Sequence, residues 1–518
     1  MTSMTQRNRS SRIRSLPLLL AAMGAAAHAQ TLQSAIDTVV VIYAENRSFD
    51  NLYGLFPGAN GIANALKDPL LYTQVDRDGS VLPHLPPVGT ASPAQAAAWA
   101  FVGALPNKPF QINAAQPGGA PGVEPSIATP DLVHRFYNHQ MQINDGKNNG
   151  FAAWSDAGGL SMGYYDGSSM AMWKLAQQYT LADNFFQAAF GGSFLNHFWL
   201  VCACTPPFAA PPPARVSRVD ASGTRLLLAA DSPASALAGK PKFAADGTTT
   251  PKLPDGQYYA INTAQPAYQP SYTAPAAGGD SRLADPTGGG HTGAVPLQPL
   301  DSSAIRTVGD TLSDRKVSWA WYAGAWNQAL ADRSVIYGAG KANFQAHHQP
   351  FNYFNRFDPT TPAGQAQRAA HLKDYTDLLQ DAARGTLPSV AFYKPQGNLN
   401  QHPGYTDVMS GDAHIAEVVA RLQASPQWKK MAIIVTYDEN GGFFDHAVPF
   451  KADMWGPGSR IPAIVISPFA RKGFVDHTPY DTTSVIKFIT TRFGLEPLPG
   501  VRVGAGDLTA AFDFTQTP

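Results

Sequence analysis

The sequence predicts an α/β protein in which a large, mostly parallel, twisted sheet is sandwiched between helices and carries a loop or small β insertion. Short apolar runs rich in β-branched residues, such as Ile433 to Thr436, are typical of strands buried on both faces. These runs alternate with segments of helical pattern, which favours a sheet covered on both sides. Apolar residues make up 44% of the 518, which is enough for one large core.

The N-terminus predicts a signal peptide over residues 1–29. Four arginines precede a short apolar stretch, Leu16 to Ala27, and Ala27-His28-Ala29 matches an A-x-A cleavage site. The stretch is too short to span a membrane, and no later segment is apolar enough to do so. We therefore expect a secreted protein, periplasmic or extracellular, with no stable membrane insertion.

The charge balance argues against nucleic acid as a partner. The chain has 38 basic and 38 acidic residues, and the signal peptide removes four arginines and no acid, which leaves a net charge of −4. Chains that bind nucleic acid usually carry an excess of Lys and Arg on one surface.

The sequence contains two cysteines, Cys202 and Cys204. A disulfide across a single residue would be strained, so we expect two buried thiols. A metal-binding C-x-C pair is the alternative, although no other cysteine supports it.

The first half of the chain begins with a strand that ends in candidate ligands. Asp37 to Tyr43 is apolar and β-branched, and Glu45-Asn46 follow it directly. A short helix and turn are expected at Asp50 to Gly54. Residues 57–130 are rich in Pro, Ala and Gly and predict a long loop with one helix near Pro93 to Val102.

Polar residues beyond that loop are weaker candidates. His134 and Lys147 lie in a polar segment and could contact an anion, but solvated helix residues are the commoner case. Met170 to Tyr179 predicts a helix. Ser193 follows two glycines and could begin another, where its hydroxyl would be either an N-cap or a nucleophile beside free N–H groups. The surroundings of Ser193 do not match the G-x-S-x-G elbow of hydrolases.

Residues 205–300 differ from the sequence on either side. Proline and glycine runs bracket polar, turn-rich sequence, which predicts an insertion, either a small β-rich subdomain or a lid. The flanking segments 30–204 and 301–518 then form one catalytic domain. Its further predicted elements are strands at Val317–Tyr322, Ser389–Tyr393 and Ile461–Ser467 and helices at Ala363–Arg384, Gly411–Ala424 and Thr482–Phe493.

The stretch from Met431 to His446 carries the clearest chemical signal. A predicted strand ends abruptly in Asp438-Glu439-Asn440 and two glycines. Adjacent carboxylates repel each other and lose hydration together, so a bound cation is a natural partner, although a surface turn explains this stretch alone equally well. Because Glu45-Asn46 also follow a strand, the matching pairs predict one shared site at the carboxyl edge of the sheet.

Three further histidines stand out, namely His347, His348 and His402. Adjacent histidines point in different directions on any regular element, so His347 and His348 suit a loop that faces a pocket. Ordinary surface or core histidines remain the alternative at this point.

Five stretches carry a resemblance to a known family. They are AENRSFDNLYG at 44–54, HHQPFNYF at 347–354, NQHPGYTDV at 400–408, VTYDENGGFFDH at 435–446 and GPGSRIPAIVISPFARKGFVDHTPYDTTSVIKFITTRFG at 456–494. Together they resemble the bacterial phosphoesterase family that holds secreted acid phosphatases and phospholipases C. The insertion carries no such motif. The chain ends soon after the last predicted helix, without the C-terminal β-domains of the family's haemolytic phospholipases C, which favours the acid phosphatase branch.

The resemblance implies a fold like that of alkaline phosphatase and the sulfatases, with a serine nucleophile at a metal-anchored site. Carried over by motif, one divalent metal ion of unspecified identity would be held by Glu45, Asn46, Ser193, Asp438 and Glu439. Ser193 would attack phosphorus. The residues that would contact the phosphoryl oxygens or the leaving group are His347, His348 and His402, of which His348 and His402 would be catalytic. His134 and Lys147 would also bind substrate.

The expected activity is that of a metal-dependent acid phosphatase that hydrolyses small phosphomonoesters through a phosphoserine intermediate. Histidines that titrate near 6.5 would supply charge and a proton for the leaving group, which favours acid pH. The alternative is a phospholipase C that cleaves phosphodiesters such as phosphatidylcholine. A secreted binding protein with a degenerate site is a third interpretation, and the complete residue set counts against it.

Overall fold

The computed structural model describes residues 32–89, 92–119, 121–288 and 295–516, so the signal peptide predicted over 1–29 lies outside the described residues. The strands are β1 Thr38–Ala44, β2 Phe110–Gln111, β3 Gly163–Tyr164, β4 Thr180–Ala182, β5 Phe185–Phe186, β6 Trp319–Ala323, β7 Leu372–Asp374, β8 Val390–Lys394, β9 Met431–Tyr437, β10 Ala463–Ile466, β11 Phe474–Asp476 and β12 Tyr480–Asp481. The helices are α1 Phe49–Tyr53, α2 Ile62–Ala65, α3 Pro93–Trp99, α4 Phe136–Ile143, α5 Phe151–Trp154, α6 Ala171–Gln178, α7 Ser193–Val201, α8 Val308–Asp314, α9 Trp326–Ala331, α10 Pro362–His371, α11 Tyr375–Arg384, α12 Val408–Gln423 and α13 Thr483–Phe493.

Eight strands form one sheet in the order β11-β4-β10-β9-β1-β8-β6-β7. All neighbours pair in parallel except β10, which runs antiparallel to both β9 and β4. Every residue of β1 and β9 is buried, so the centre of the sheet is covered on both faces. The predicted class, a large and mostly parallel α/β sheet, is therefore confirmed.

The register of β1 decides which residues meet at the carboxyl edge of the sheet. β9 pairs with β1 along its whole length, down to Ala44 opposite Tyr437. Glu45-Asn46 and Asp438-Glu439 therefore leave the sheet side by side. On the other side of β1, β8 ends in Lys394. The two segments therefore meet at one carboxyl edge of the sheet, as the sequence predicted.

The prediction of a single helix over Ala363–Arg384 is wrong, because a short strand interrupts the helical segment. Two helices, α10 and α11, occupy this segment, and β7 between them pairs in parallel with β6 at the edge of the sheet. Asp374 ends β7 and accepts a hydrogen bond from the Thr376 N–H, while Asp377 completes a capping box for α11. An edge pairing and an N-cap thus override a helical pattern.

The other strands and helices predicted from the sequence lie within three residues of their observed bounds. Across the part of the chain that the structure describes, no helix combines the length and apolar composition needed to cross a bilayer.

The segment 205–300 is a long loop and not a β-rich subdomain. Its described residues hold two single-turn 3-10 helices and isolated β-bridges, and no strand. Asn262 Oδ1 accepts from the Phe136 N–H at 3.1 Å. Arg135 pairs with Asp246 at 2.6 Å. These contacts anchor the loop to the α/β domain.

Cys202 and Cys204 form a disulfide, so the expectation of two thiols is wrong. Ala203 between them has a φ of 48°, and this turn at the end of α7 brings the two Cα atoms to 5.1 Å. That separation lies within the ordinary range for disulfides. The sequence gives no sign of the turn.

A buried charge network ties the loops after β1 and β9 to the start of β10. Arg460 is fully buried, and it donates from Nε to Asp445 at 2.8 Å and from Nη2 to Asp50 at 3.2 Å. His446 Nδ1 lies 2.6 Å from the other oxygen of Asp50. Burial alone would raise the pKa of Asp50, but His446 and Arg460 hold it below its ordinary value. Opposite charges inside the core therefore fix the loops that leave the sheet.

Replacing Arg460 by Met keeps much of the side-chain volume but leaves Asp50 and Asp445 buried with one partner fewer. We expect the free energy of unfolding to fall by about 3–5 kcal/mol, the scale for breaking a buried ion pair. Urea unfolding followed by tryptophan fluorescence measures it. The control is Arg421→Met, which removes an exposed pair with Glu417 and should cost no more than about 0.5 kcal/mol. Equal losses in the two variants would contradict the role given to the network.

Candidate active site

Most residues predicted for the site meet at the carboxyl ends of β1 and β9. Glu45 and Asn46 follow β1, Asp438 and Glu439 follow β9, and Ser193 is the first residue of α7. Ser193 Oγ lies 3.4 Å from Asn46 Oδ1 and 3.4 Å from Glu439 Oε1. The four acid and amide side chains are fully buried, and Ser193 is only 7% exposed.

Ser193 does not cap its own helix. Gly192 occupies the N-cap position, and no side chain caps the first turn. The N–H groups of that turn have no partner within the helix, and helix N-termini of this kind bind anions. Of the two roles left open by the sequence, the N-cap role is thus excluded.

A buried histidine fixes the turn that presents Ser193. His139 Nδ1 accepts from the Gly191 N–H at 3.1 Å, and its Nε2 lies 2.9 Å from Ser459 Oγ. Burial lowers the pKa of His139 to about 3, so the ring is neutral and Nδ1 is able to accept. Gly191 has a φ of 84°, and a Cβ there would lie 2.5 Å from the Phe136 nitrogen. Glycine is therefore required before the serine.

The oxygens around Ser193 fit the coordination shell of one divalent cation. A separation of 3.4 Å is long for a hydroxyl hydrogen bond. It matches the spacing of adjacent oxygens around a hard cation, about 3.0–3.5 Å when metal–oxygen distances are about 2.1–2.5 Å. Burial raises the pKa of Asp438 and Glu439 well above the usual range, and their mutual repulsion adds to the effect at Asp438. A cation beside them would favour their charged forms.

Glu45 is held by four protein donors. Its Oε1 lies 2.6 Å from His348 Nε2 and 2.8 Å from Lys394 Nζ. Its Oε2 accepts from Asn400 Nδ2 at 2.5 Å and from the Tyr405 hydroxyl at 3.3 Å. Burial alone would raise the pKa of Glu45, but His348 and Lys394 hold it well below its usual range. Both carboxylate oxygens of Glu45 therefore already have protein donors.

His347 and His348 lie on the 3-10 helix Ala346–His348 and face different ways, as adjacent histidines were expected to do. His348 faces Glu45. His347 lines a cavity, and neither of its ring nitrogens has a hydrogen-bond partner among the described residues. Burial lowers the pKa of both imidazoles, so their rings are neutral near pH 7.

His134 and His402 lie together on the same cavity, with ring centroids 5.4 Å apart. His402 stacks on Tyr405 at 4.1 Å, and burial lowers its pKa. His134 Nε2 lies 3.4 Å from Asn46 Nδ2 and 3.8 Å from Glu439 Oε1. His134 thereby joins the histidine side of the cavity to the oxygen cluster.

The cavity has a volume of about 300 Å³. Four predicted site residues line it, namely Ser193, His134, His347 and His402. Asn262 and Thr263 line it as well, so the 205–300 loop forms part of the wall. Asp131 and Asp156 add two acids, and burial raises the pKa of Asp156. Because Arg135 also lines the cavity, charge of both signs faces any molecule that enters.

Lys147 is not part of this assembly. Helix α4 ends at Ile143, and Asn144 and Asp145 have positive φ, which turns the chain to the surface. Lys147 is exposed in that turn, beside Asp145, and does not line the cavity. All the other predicted site residues come together.

Two buried residues belong to the site although the sequence analysis assigned them no role. Lys394 Nζ lies 2.8 Å from Glu45 Oε1 and 3.4 Å from Asp438 Oδ2. His197 lies one helical turn after Ser193 and its Nδ1 lies 2.7 Å from the Ser193 carbonyl oxygen. Lys394 ends a buried strand, so the rule that found the acids would also have found this lysine.

The Phosphoesterase family model matches residues 36–496. Phospholipase C B of Mycobacterium tuberculosis is 32% identical over 266 residues, which cover 45% of this chain and 48% of that protein. The non-hemolytic phospholipase C of Pseudomonas aeruginosa is 33% identical over 172 residues, or 26% of this chain and 25% of that protein. Non-specific phospholipase C1 of Arabidopsis thaliana is 39% identical over 105 residues, or 17% and 20%. The chain spans about half the length of these curated relatives, or less.

Two solved structures match the chain at low sequence identity. A protein in the alkaline phosphatase superfamily from Vibrio parahaemolyticus is 10% identical, with 74% of this chain and 72% of that chain covered and a TM-score of 0.31. A phosphonate monoester hydrolase from Silicibacter pomeroyi is 12% identical, with 67% and 72% covered and a TM-score of 0.26. Neither similarity bears on the chemistry of the site.

Proposed function

We propose that this chain, which belongs to the Phosphoesterase family, is a phosphoester hydrolase of the phospholipase C type with Ser193 as its nucleophile. The observation that carries the proposal is the placement of the Ser193 hydroxyl at the start of a nine-residue helix, 3.4 Å from Asn46 and Glu439 oxygens. A phosphoester repels a nucleophile unless positive charge and N–H donors surround it. The helix N-terminus, the histidines and a cation would supply both.

We rank phospholipase C above acid phosphatase, the activity expected from the sequence, because of the names of the similar proteins. The relatives described above are named phospholipases C, and none of the three is named a phosphatase. Because the chain spans half of their length or less, the reaction and its substrate remain our proposal.

Acid phosphatase is the second candidate, and the cavity favours it. A volume of about 300 Å³ lies at the low end for small-molecule pockets. A small monoester fits inside as a whole, whereas a phospholipid would place only its head group there and leave its acyl chains outside. Asn262 and Thr263 of the 205–300 loop restrict the space further.

In the proposed reaction, Ser193 Oγ attacks phosphorus in line with the leaving oxygen, and the leaving alcohol departs. The product is a phosphoserine, which still carries the head group when the substrate is a diester, and water then hydrolyses its bond to Ser193. Glu439 Oε1, 3.4 Å from the hydroxyl, takes its proton. The N–H groups of the first turn of α7 bind the phosphoryl oxygens, whose charge grows in the transition state.

One divalent cation would sit at Asn46, Ser193, Asp438 and Glu439, with Glu45 beside them. When bound, it would add positive charge at the phosphoryl group and favour the ionised serine. The donors are oxygens, which suit hard or borderline cations.

The histidines supply the proton for the leaving oxygen. His347 and His402 line the cavity, and burial lowers the pKa of both, which keeps them neutral near pH 7. A bound phosphoryl anion raises these pKa values again. Because the protonated fraction of a histidine falls as pH rises, the donor is most abundant in acid.

Ser193→Ala should lower turnover by at least about 1000-fold while leaving the circular dichroism spectrum unchanged, since the nucleophile forms the covalent intermediate. Quenching the wild type with acid during turnover of labelled phosphoester should trap label on Ser193. Ser169→Ala, at an exposed serine, is the control and should behave as wild type. Label on another residue, or an active Ser193→Ala variant, would overturn the assignment.

Asp438→Asn should weaken metal binding and lower activity by about 100-fold or more, because part of a preorganised electrostatic site is lost. Metal analysis of the dialysed protein measures the first effect. Asp310→Asn, at a buried carboxylate in the capping box of α8, should keep its metal. Full metal occupancy in Asp438→Asn would place the ion elsewhere.

Rates on p-nitrophenylphosphorylcholine and p-nitrophenyl phosphate, each measured from pH 5 to 8, separate the two candidates. A phospholipase C should prefer the diester, and a phosphatase the monoester. We expect the diester to be cleaved faster, with an optimum below pH 7. No turnover of either compound would favour the binding-protein interpretation.

A further inference from the structure

The ammonium group of Lys394 is a cation built into the candidate site. The side chain is fully buried. Its Nζ lies 2.8 Å from Glu45 Oε1, 3.4 Å from Asp438 Oδ2 and 3.5 Å from the Ala44 carbonyl oxygen. The ammonium also lies over the ring of Tyr43, 5.2 Å from its centroid. Acceptors and an aromatic face therefore hold the charge in one place.

Lys394 bridges two members of a group that could itself hold a metal ion. Glu45, His197 and Asp438 each offer one ligand atom, and these atoms lie within 4.8 Å of one another. Glu45 and Asp438 are the two carboxylates that Lys394 contacts. His197 Nδ1 lies within hydrogen-bond distance of the Ser193 carbonyl oxygen, while its Nε2 has no hydrogen-bond partner in the part of the chain that the structure describes. The ammonium thus contacts two of the three groups that could hold such an ion.

Charge balance supports this interpretation. Glu45, Asp438 and Glu439 are all fully buried, and together they carry three negative charges when ionised. One divalent ion and the Lys394 ammonium bring three positive charges. A second divalent ion added beside the ammonium would leave buried positive charge in excess, which is costly in a protein interior.

We propose that Lys394 takes the place of a second metal ion and limits the site to one. The inference rests on the proposed function, because the single ion is the one assigned to Asn46, Ser193, Asp438 and Glu439. Lys394 is a positioning residue that acts through Glu45 and Asp438. Removing its charge should open a second ion site that uses His197.

The test is the number of Mn²⁺ ions bound per chain, measured by metal analysis after equilibrium dialysis. Wild type should bind one ion, and Lys394→Met should bind two. The double variant Lys394→Met/His197→Ala should return to one, because it lacks a ligand of the second ion. His197→Ala alone and Lys394→Arg, which keeps the charge, should each bind one.

Thermal unfolding gives a second measurement. In chelator, Lys394→Met should unfold at a lower temperature than wild type, because two buried carboxylates lose their partner. Saturating Mn²⁺ should raise its midpoint by more than that of wild type, since two ions then stabilise the folded state. Failure of both Lys394→Met and Lys394→Gln to fold even with Mn²⁺ would count against the proposal, because a second ion should replace the missing charge.

Two results overturn the inference, namely two ions in wild type and a single ion in folded Lys394→Met. Failure of this inference can be distinguished from failure of the proposed function. If wild type binds one Mn²⁺ and Lys394→Met binds two, but neither phosphoester is cleaved, the function is wrong and the ion count stands. If wild type cleaves phosphoesters while Lys394→Met binds one ion, the function stands and the role of Lys394 is wrong.

Discussion

The parallel pairing of β1 with β9 is the constraint on which the rest of the site depends. Because Ala44 lies opposite Tyr437, two acidic segments distant in sequence leave the sheet at the same level. Side chains alternate between the faces of a sheet, so a slip by one residue would send one set of ligands to the opposite face. Because both strands are buried along their whole length, such a slip would also force the side chains on both faces to repack.

Two buried charge clusters lie along the loops that follow these strands, and they differ in how completely they are neutralised. Asp50 and Asp445 share Arg460, and His446 is a further partner of Asp50. The acids of that cluster are therefore paired with basic groups of the protein itself. In the site cluster, Lys394 contacts Glu45 and Asp438, while the basic group that pairs with Glu439 in the described part of the chain is the imidazole of His134, at 3.8 Å. The first cluster therefore holds the loops, whereas the second has one lysine or arginine for three acids among the residues that the structure describes, its other basic partners being imidazoles.

Much of the fold and of the site could be predicted from the sequence because both follow from strand ends. The β-branched runs predicted the sheet. The acids that follow two of these runs predicted that the site lies at the carboxyl edge of that sheet. The break in the helix over Ala363–Arg384 was missed because an edge pairing depends on a distant strand. The Cys202–Cys204 bridge depends on a local turn that no pattern reveals. Lys147 was placed wrongly because nothing in a polar segment shows which way a helix end turns.

The position of β1 in the chain has a consequence for the order in which the protein can assemble. This central strand is synthesised early, but its two neighbours begin only at Val390 and Met431. Until both have been made, β1 has two unpaired, apolar edges, which are prone to pair with other chains. Such long-range pairing also folds slowly. A nascent or truncated chain that stops before β8 therefore contains the serine and the first acid–amide pair but has no site. It depends on protection from aggregation until the last quarter of the chain has been made.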